Sequence, residues 1–324
     1  MPEFRIDTLA PWLAARGFSA PDLSLTELGG GVSNVVILAE GAHFRLVVKQ
    51  SLGKLRVAEE WCSDRARILR EAEAMRWLAP RLTAGRVPRL LFDAPEDFAI
   101  AMEAAPAGAE MWKTLLMRGQ FDPAHAQAAG AMLGQTIAST WHNDDARRIF
   151  GDQTVFDQLR IDPYYRFTAR RHPDRADYFH SLIERSALRA VSLVHGDWSP
   201  KNLLASGGSL WAIDWEVVHF GDPSFDAAFL LNHLMLKSIA QPQWRANFAS
   251  LAKVFFDALR ESLPPEAQWM EQATLEHLPA LLLARVDGKS PAEYLDEAGR
   301  RQARAKARDM MVHPPESVEA VFEK

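Results

Sequence analysis

Near the start of the chain, Leu9, Trp12 and Leu13 recur at a spacing that places them on one face of a helix, with Asp7 as its N-cap and Gly17 just past its end. From Leu23 the pattern changes to short β-rich runs, Leu23–Leu28, Val32–Ala39 and Phe44–Lys49. The first two are separated by Gly29-Gly30-Gly31 and the last two by a Glu40-Gly41-Ala42 turn. Helical spacing returns over Asp64–Leu78, where Ile68, Leu69, Ala72, Met75 and Leu78 make an apolar stripe that stops before Pro80. Two further apolar runs, Val87–Asp93 and Phe98–Glu103, flank the turn-forming Ala94-Pro95-Glu96-Asp97. Together these segments predict a lobe of five antiparallel strands with one helix, preceded by the short leading helix.

The breaker-rich Ala104-Ala105-Pro106-Ala107-Gly108 predicts a hinge, dividing the chain into lobes at 1–104 and 105–324. Helical patterning dominates the second lobe. Asp122-Pro123 supplies a cap and first-turn residue for a helix running toward Trp141, and Asp222-Pro223 does the same for one reaching about Lys237. Two strand-like pieces, Val191–Val194 and Leu210–Asp214, interrupt the helices, with Leu203-Leu204 between them and Ser206-Gly207-Gly208-Ser209 as a turn. The predicted class is α+β: a five-stranded antiparallel lobe followed by a mostly helical one.

Composition narrows the function more than the fold. With 48% hydrophobic residues among 324, core material is ample, which excludes disordered, collagen-like and coiled-coil architectures. Lys and Arg number 37 against 42 Asp and Glu, so no global field draws in nucleic acid. Cys62 is the only cysteine, so neither an intrachain disulfide nor a cysteine zinc site can form, and a reducing cytoplasm fits. The opening residues lack the layout of a secretion signal, and no apolar stretch approaches the ~20 residues needed to span a bilayer. A cytoplasmic protein with no nucleic-acid or membrane partner is the expectation; oligomeric state is left open.

The densest run of functional side chains is Leu193–Leu204, LVHGDWSPKNLL, a loop between two strands. His195-Gly196-Asp197 followed by Asn202 has the D-x-x-x-x-N spacing of a kinase catalytic loop, in which the Asp meets the substrate hydroxyl and the Asn holds a metal. Asp214, in Ile213-Asp214-Trp215-Glu216, sits where a kinase keeps its second metal carboxylate, and an Asp-x-Glu offers the hard oxygens that Mg²⁺ prefers. By itself a His-Gly-Asp reads as a polar turn; the two pieces in register favour the catalytic reading. In the first lobe, Leu28–Val36 reads G-x-G-x-x-N-x-V, near the phosphate-covering pattern but with Asn34 in place of the third glycine. Lys49 ends the next strand, where a kinase has its phosphate lysine, and Glu71 or Glu73 on the following helix could pair with it, Glu71 being preferred.

These segments, together with REAEAMRWL, VPRLL, MEAAPAG and GDPSFD, occur in order and at the right spacing for one group. From about Leu25 to Arg285 the chain resembles the aminoglycoside phosphotransferase and choline kinase-like superfamily of small-molecule kinases. The resemblance implies a bilobal protein-kinase-like fold, ATP and Mg²⁺ as cofactors, and an active site in the cleft between the lobes. It implies ATP contacts from Gly29, Gly30, Gly31, Ser33 and Asn34, Lys49 on the phosphates with Glu71 pairing to it, and adenine held by backbone groups around Glu103 to Ala105. Asp197 becomes the catalytic base, Asn202 and Asp214 hold the metal with Glu216 assisting, and His195 and Asp226 support the loop, Asp226 as the family's structural aspartate.

The acceptor is less constrained. Asp-x-Glu in place of the commoner Asp-x-Asp is similar to methylthioribose kinases and choline kinases. Methylthioribose kinases, however, carry paired arginines where Leu283–Gly288 offers Arg285 alone, and their catalytic-loop wording differs from HGDWSPKN. Polycationic aminoglycosides require a carboxylate-lined pocket, whereas Arg300, Arg301, Arg304, Lys306 and Arg308 crowd the last helical segment, which also reads as a plain solvated face. Trp198 and Trp215 could wall a pocket for a choline-like cation or an apolar body, or fill the core. Asn232, His233 and Lys237 follow GDPSFD at helical spacing and, with Arg285, are candidates to face the acceptor. The expectation is an ATP- and Mg-dependent phosphotransferase acting on the hydroxyl of a small molecule. A catalytically silent nucleotide-binding protein on the same fold and an aminoglycoside kinase are the alternatives; a protein kinase lacks its A-P-E signature here.

Overall fold

The computed structural model describes residues 3–29, 33–54, 63–83 and 85–323, and its chain divides into two units, Met1–Ala107 and Gly108–Lys324. Gly30, Gly31, Val32 and Cys62 lie outside the described residues. In the first unit, β1 (Ser24–Glu27), β2 (Asn34–Gly41), β3 (Phe44–Ser51), β4 (Leu90–Ala94) and β5 (Ala99–Glu103) form one antiparallel sheet in the order β1-β2-β3-β5-β4. The strand alternation separates its two faces. Val35, Ile37 and Ala39 of β2 and Leu46 and Val48 of β3 share a core with Leu52, Ala101 and the helix residues Leu9 and Leu13.

That leading helix spans Ile6–Ala14, so Asp7 falls in its first turn and is not the N-cap. The end is closed instead by Thr8, whose Oγ1 accepts from the Arg5 N–H at 3.0 Å. Trp12 Nε1 donates to the buried Asp97 at 2.7 Å, which ties the helix to the turn between β4 and β5. The helix Arg67–Leu78 packs against β3, β4 and β5. It begins three residues later than the apolar stripe suggests, because Asp64 spends its carboxylate capping the Ala66 N–H in the preceding turn. Strand β4 likewise starts at Leu90, after Pro88, which has no N–H for a ladder.

The second unit is mostly helical. Its longer helices are Pro123–Thr140, Ala176–Leu188, Ser224–Ala240, Arg245–Ser262, Met270–Asp287 and Glu297–Val312. Asp122 caps the first of these by accepting from the Ala124 N–H at 2.9 Å. This helix lies against Arg245–Ser262 so closely that a Cβ at Gly130 would stand 2.1 Å from the Phe255 carbonyl oxygen, so only glycine fits there. Ser224–Ala240 is buried along nearly its whole length.

Short strands occupy the middle of this unit. β7 (Ser192–Val194) pairs with β10 (His219–Gly221), and β8 (Leu203–Ser206) pairs with β9 (Ser209–Ala212), with β6 (Glu110–Met111) on the other side of β8. Ser206 faces Ser209, so Gly207-Gly208 is the turn of a two-residue hairpin. Strand β9 stops at Ala212 rather than reaching Asp214, which adopts a left-handed φ of 70°. No described helix is long and apolar enough to cross a membrane.

Candidate active site

The loop between β7 and β8 is held on every side by hydrogen bonds to its backbone. Asp226, fully buried on the helix Ser224–Ala240, accepts from the His195 N–H at 2.6 Å and from the Gly196 N–H at 2.9 Å. His195 Nε2 donates to the Ile213 carbonyl at 3.0 Å while its Nδ1 accepts from the Asp197 N–H at 3.1 Å, which fixes one neutral tautomer. Asn202 Nδ2 donates to the Asp197 carbonyl at 3.0 Å. Gly196 has φ +77°, and a Cβ there would come within 2.7 Å of Val217 Cγ1, so this position of the loop admits only glycine.

The Asp197 side chain carries two ion pairs on one oxygen. Oδ2 accepts from Arg160 Nη2 at 2.9 Å and from Lys201 Nζ at 3.0 Å. Burial pushes the Asp197 carboxyl up, but the Lys201 ammonium and the Arg160 guanidinium outweigh it and hold the group well below the usual carboxylate range. Arg160 lies on a π-helical stretch, Asp157–Arg166, and also donates to the Gly196 carbonyl. Neither Arg160 nor Lys201 is singled out by the sequence patterns. Arg160 is 37 residues before Asp197, and no spacing rule links a π-turn to a distant loop.

Burial is the main cause that lowers His195 to about 4 from 6.5. The folded protein therefore refuses a proton that the unfolded chain takes up below pH 6.5. The resulting stability is intact above pH 6.5 and lost as the pH falls through that range toward 4, by about 3 kcal/mol. Urea midpoints measured from pH 7.5 to 4.5 for the wild type and His195→Gln will show this as a gap that narrows on acidification. A gap independent of pH would contradict it.

Asp214 and Glu216 follow β9, the first half-buried and the second buried, and an oxygen of one carboxylate lies within 4.8 Å of an oxygen of the other. Asn202 sits at the base of the same hairpin, where the Ile213 N–H donates to the Asn202 carbonyl at 3.0 Å. The two carboxylates offer the hard oxygens that fit Mg²⁺, and with the Asn202 amide nitrogen already engaged its Oδ1 remains as an acceptor.

In the first unit, Lys49 Nζ and Glu71 Oε2 form a buried ion pair at 2.6 Å, whereas Glu73 is exposed and pairs with Arg76. Asn34 Nδ2 donates to Ser33 Oγ at 2.9 Å, just after the glycine loop. The buried Arg67, which the patterns also pass over, donates to the carbonyls of Ser33, Leu52 and Asp64 and so anchors the end of that loop to the start of its helix. At the end of β5, the Glu103 N–H is taken by the Arg89 carbonyl at 2.9 Å. The Ala105 carbonyl accepts from Arg45.

Among the residues considered for an acceptor, Trp198 and Trp215 are fully buried and pack on His195, with ring centroids 5.4 and 4.4 Å from its imidazole. They fill the core beside the His195 loop, the second of the two options. His233 stacks edge-on to Phe229 at 5.1 Å. Arg285 donates to Ser290 Oγ at 2.7 Å and to the Tyr164 hydroxyl at 3.3 Å. Arg304 and Arg308 are paired with Asp287 and Asp174, so part of the basic stretch is an ion-paired helix face.

The phosphotransferase enzyme family matches residues 24–269, well over half of the chain, and the chain belongs to that family. Its fold is that of the aminoglycoside phosphotransferase and choline kinase-like superfamily, a protein-kinase-like α+β arrangement. It is 25% identical over 278 residues to the methylthioribose kinase of Escherichia coli, covering 74% of this chain and 66% of that one. It is 29% identical over 258 residues to the methylthioribose kinase of Pectobacterium atrosepticum, covering 70% of this chain and 64% of that one. The chain thus spans slightly under two thirds of the length of these relatives. A choline/ethanolamine kinase family protein from Mesorhizobium loti superposes with a TM-score of 0.54 at 20% identity, covering 98% of this chain and 99% of that one.

Proposed function

We propose that this protein is an ATP- and Mg²⁺-dependent kinase that transfers the γ-phosphate of ATP to a hydroxyl of a small molecule. The observation that carries the reading is the Asp197 loop: a carboxylate with both cations on Oδ2, in register with an Asn202, Asp214 and Glu216 donor set. Asp197 uses Oδ1 to orient the acceptor hydroxyl. As the new oxygen–phosphorus bond forms and the bond to the ADP leaving group breaks, the hydroxyl proton passes to that carboxylate. Its depressed basicity suits a loose transition state, in which most of the catalytic effect is positioning and charge compensation. Asn202, Asp214 and Glu216 would hold Mg²⁺, which supplies charge neutralisation at the phosphates when bound. Lys49, oriented by Glu71, would add positive charge at the nucleotide phosphates, with the segment Gly29–Asn34 covering them and the backbone near Glu103 and Ala105 meeting adenine.

Likeness to methylthioribose kinases supports testing that thiosugar as an acceptor, although Arg285 stands without a neighbouring arginine. The competent side chains at Lys49, Asp197, Asn202 and Asp214 weigh against a silent scaffold. Mg²⁺-dependent ADP release, assayed across methylthioribose, choline, ethanolamine, homoserine, thiamine, simple sugars and aminoglycosides, tests the reading. Acceptor-stimulated release is expected. MgATP binding with no release for any hydroxyl compound would favour the silent nucleotide-binding protein.

A further inference from the structure

Among its described residues, the helical unit holds a pair of cations with no carboxylate to answer them. Lys237 lies within the buried helix Ser224–Ala240 and is itself 1% exposed. Its ammonium donates to the His233 carbonyl at 3.3 Å and lies 5.2 Å from the centre of the Tyr294 ring, and it makes no ion pair among the described residues. The charges that act on it are those of Lys113 and Arg285, both positive. Arg285, half-buried, meets only Ser290 and the Tyr164 hydroxyl, and its Nε is buried with no partner. The Tyr294 hydroxyl is also buried without a partner. Buried polar groups are normally paired, and buried cations normally have a carboxylate. The same unit supplies one elsewhere: Asp197 answers Arg160 and Lys201, and Asp287 answers Arg304.

The unanswered cations stand next to the catalytic loop. The Tyr164 hydroxyl receives the Arg285 bond, the Arg160 guanidinium lies 5.7 Å from the centre of the Tyr164 ring, and Arg160 is paired with Asp197. We propose that the phosphate acceptor is an anionic alcohol, a hydroxy acid or a sugar phosphate, whose carboxylate or phosphate is held by Lys237 and Arg285 with the Tyr294 hydroxyl while its hydroxyl meets Asp197. This inference rests on the kinase reading for the meaning of Asp197, but not for the existence of the anion site. It disfavours polycationic antibiotics and choline, which would bring positive charge to a place that already has it in excess. Burial lowers Lys237 to about 7, with Lys113 and Arg285 adding to the effect, so an arriving anion would raise it again and draw a proton onto the amine.

The test uses the full chain and inorganic sulfate as the probe, titrated calorimetrically with and without saturating MgADP, in two buffers of different ionisation enthalpy. Sulfate is expected to bind in both cases with proton uptake at pH 7.5, and Lys237→Met and Arg285→Gln should each weaken it at least tenfold. The uptake should fall in Lys237→Met, which a merely structural lysine would not produce. Arg285→Lys, which keeps the charge, should retain most of the binding. No sulfate binding, or binding unchanged in folded Lys237→Met and Arg285→Gln, overturns the proposal.

Turnover of the matched pairs glycerol and glycerate, glucose and glucuronate, and ribose and ribose 5-phosphate then identifies the anion, the charged member being preferred. Preference for a neutral or cationic acceptor with an unchanged KM in Lys237→Met also overturns it. Sulfate binding at these residues in a protein that neither binds MgATP nor releases ADP would instead remove the kinase reading and leave the anion site standing.

Discussion

Asp197→Asn is expected to lower acceptor-stimulated ADP release by ~10²–10⁴-fold while leaving MgATP affinity within a few-fold, because on the proposed role of Asp197 the neutral amide cannot take the hydroxyl proton. The same change removes the carboxylate that pairs the buried Arg160, so stability should also fall, by about 3 kcal/mol. Arg160 keeps its bonds to the Gly196 and Leu159 carbonyls, which favours a folded variant. Single-turnover kinetics beside a urea titration separate the two effects. Loss of turnover in proportion to the unfolded fraction alone would mean that Asp197 is structural.

The second large effect is expected at the Lys49–Glu71 pair. Both side chains are nearly solvent-free, so Lys49→Met takes from the buried Glu71 carboxylate its ammonium partner at 2.6 Å, at a cost of about 3–5 kcal/mol. Replacing both, as Lys49→Met with Glu71→Leu, should recover most of that loss, since a buried ion pair adds little over apolar residues of similar size. Activity should not recover: on the proposed role of Lys49, both variants lose turnover on the order of 10²-fold. A double variant as unstable as the single one would show that Glu71 is held by something other than Lys49.

Much of the fold was legible because its signals are local. Strand alternation in Val35–Ala39 and Leu46–Val48 marks the same face that the structure buries beneath Leu9 and Leu13. The Asp122-Pro123 pair marks a helix start correctly, and the Gly207-Gly208 turn falls where the hairpin has it. Boundaries failed where a side chain had a better use than the one its type suggests. Asp7 lies inside its helix while Thr8 closes the end, and Asp64 caps a turn before Arg67–Leu78 rather than the helix itself. Asp214, written as the end of a strand, is a left-handed residue beyond it.

The sequence by itself determined which residue types stand in the candidate site and in what order, since HGDWSPKN and IDWE are contiguous and their spacing is a property of the chain. It narrowed the partner of Lys49 to Glu71 or Glu73 with Glu71 preferred, and the buried ion pair at 2.6 Å decides for Glu71. Only the tertiary structure decided what surrounds those residues. Arg160 on Asp197, Asp226 beneath His195 and Gly196, Arg67 at the end of the glycine loop, and the unanswered Lys237 and Arg285 are contacts between segments far apart in the chain. Charge pairing and desolvation depend on distance and burial in space, and no periodicity along a sequence encodes either quantity.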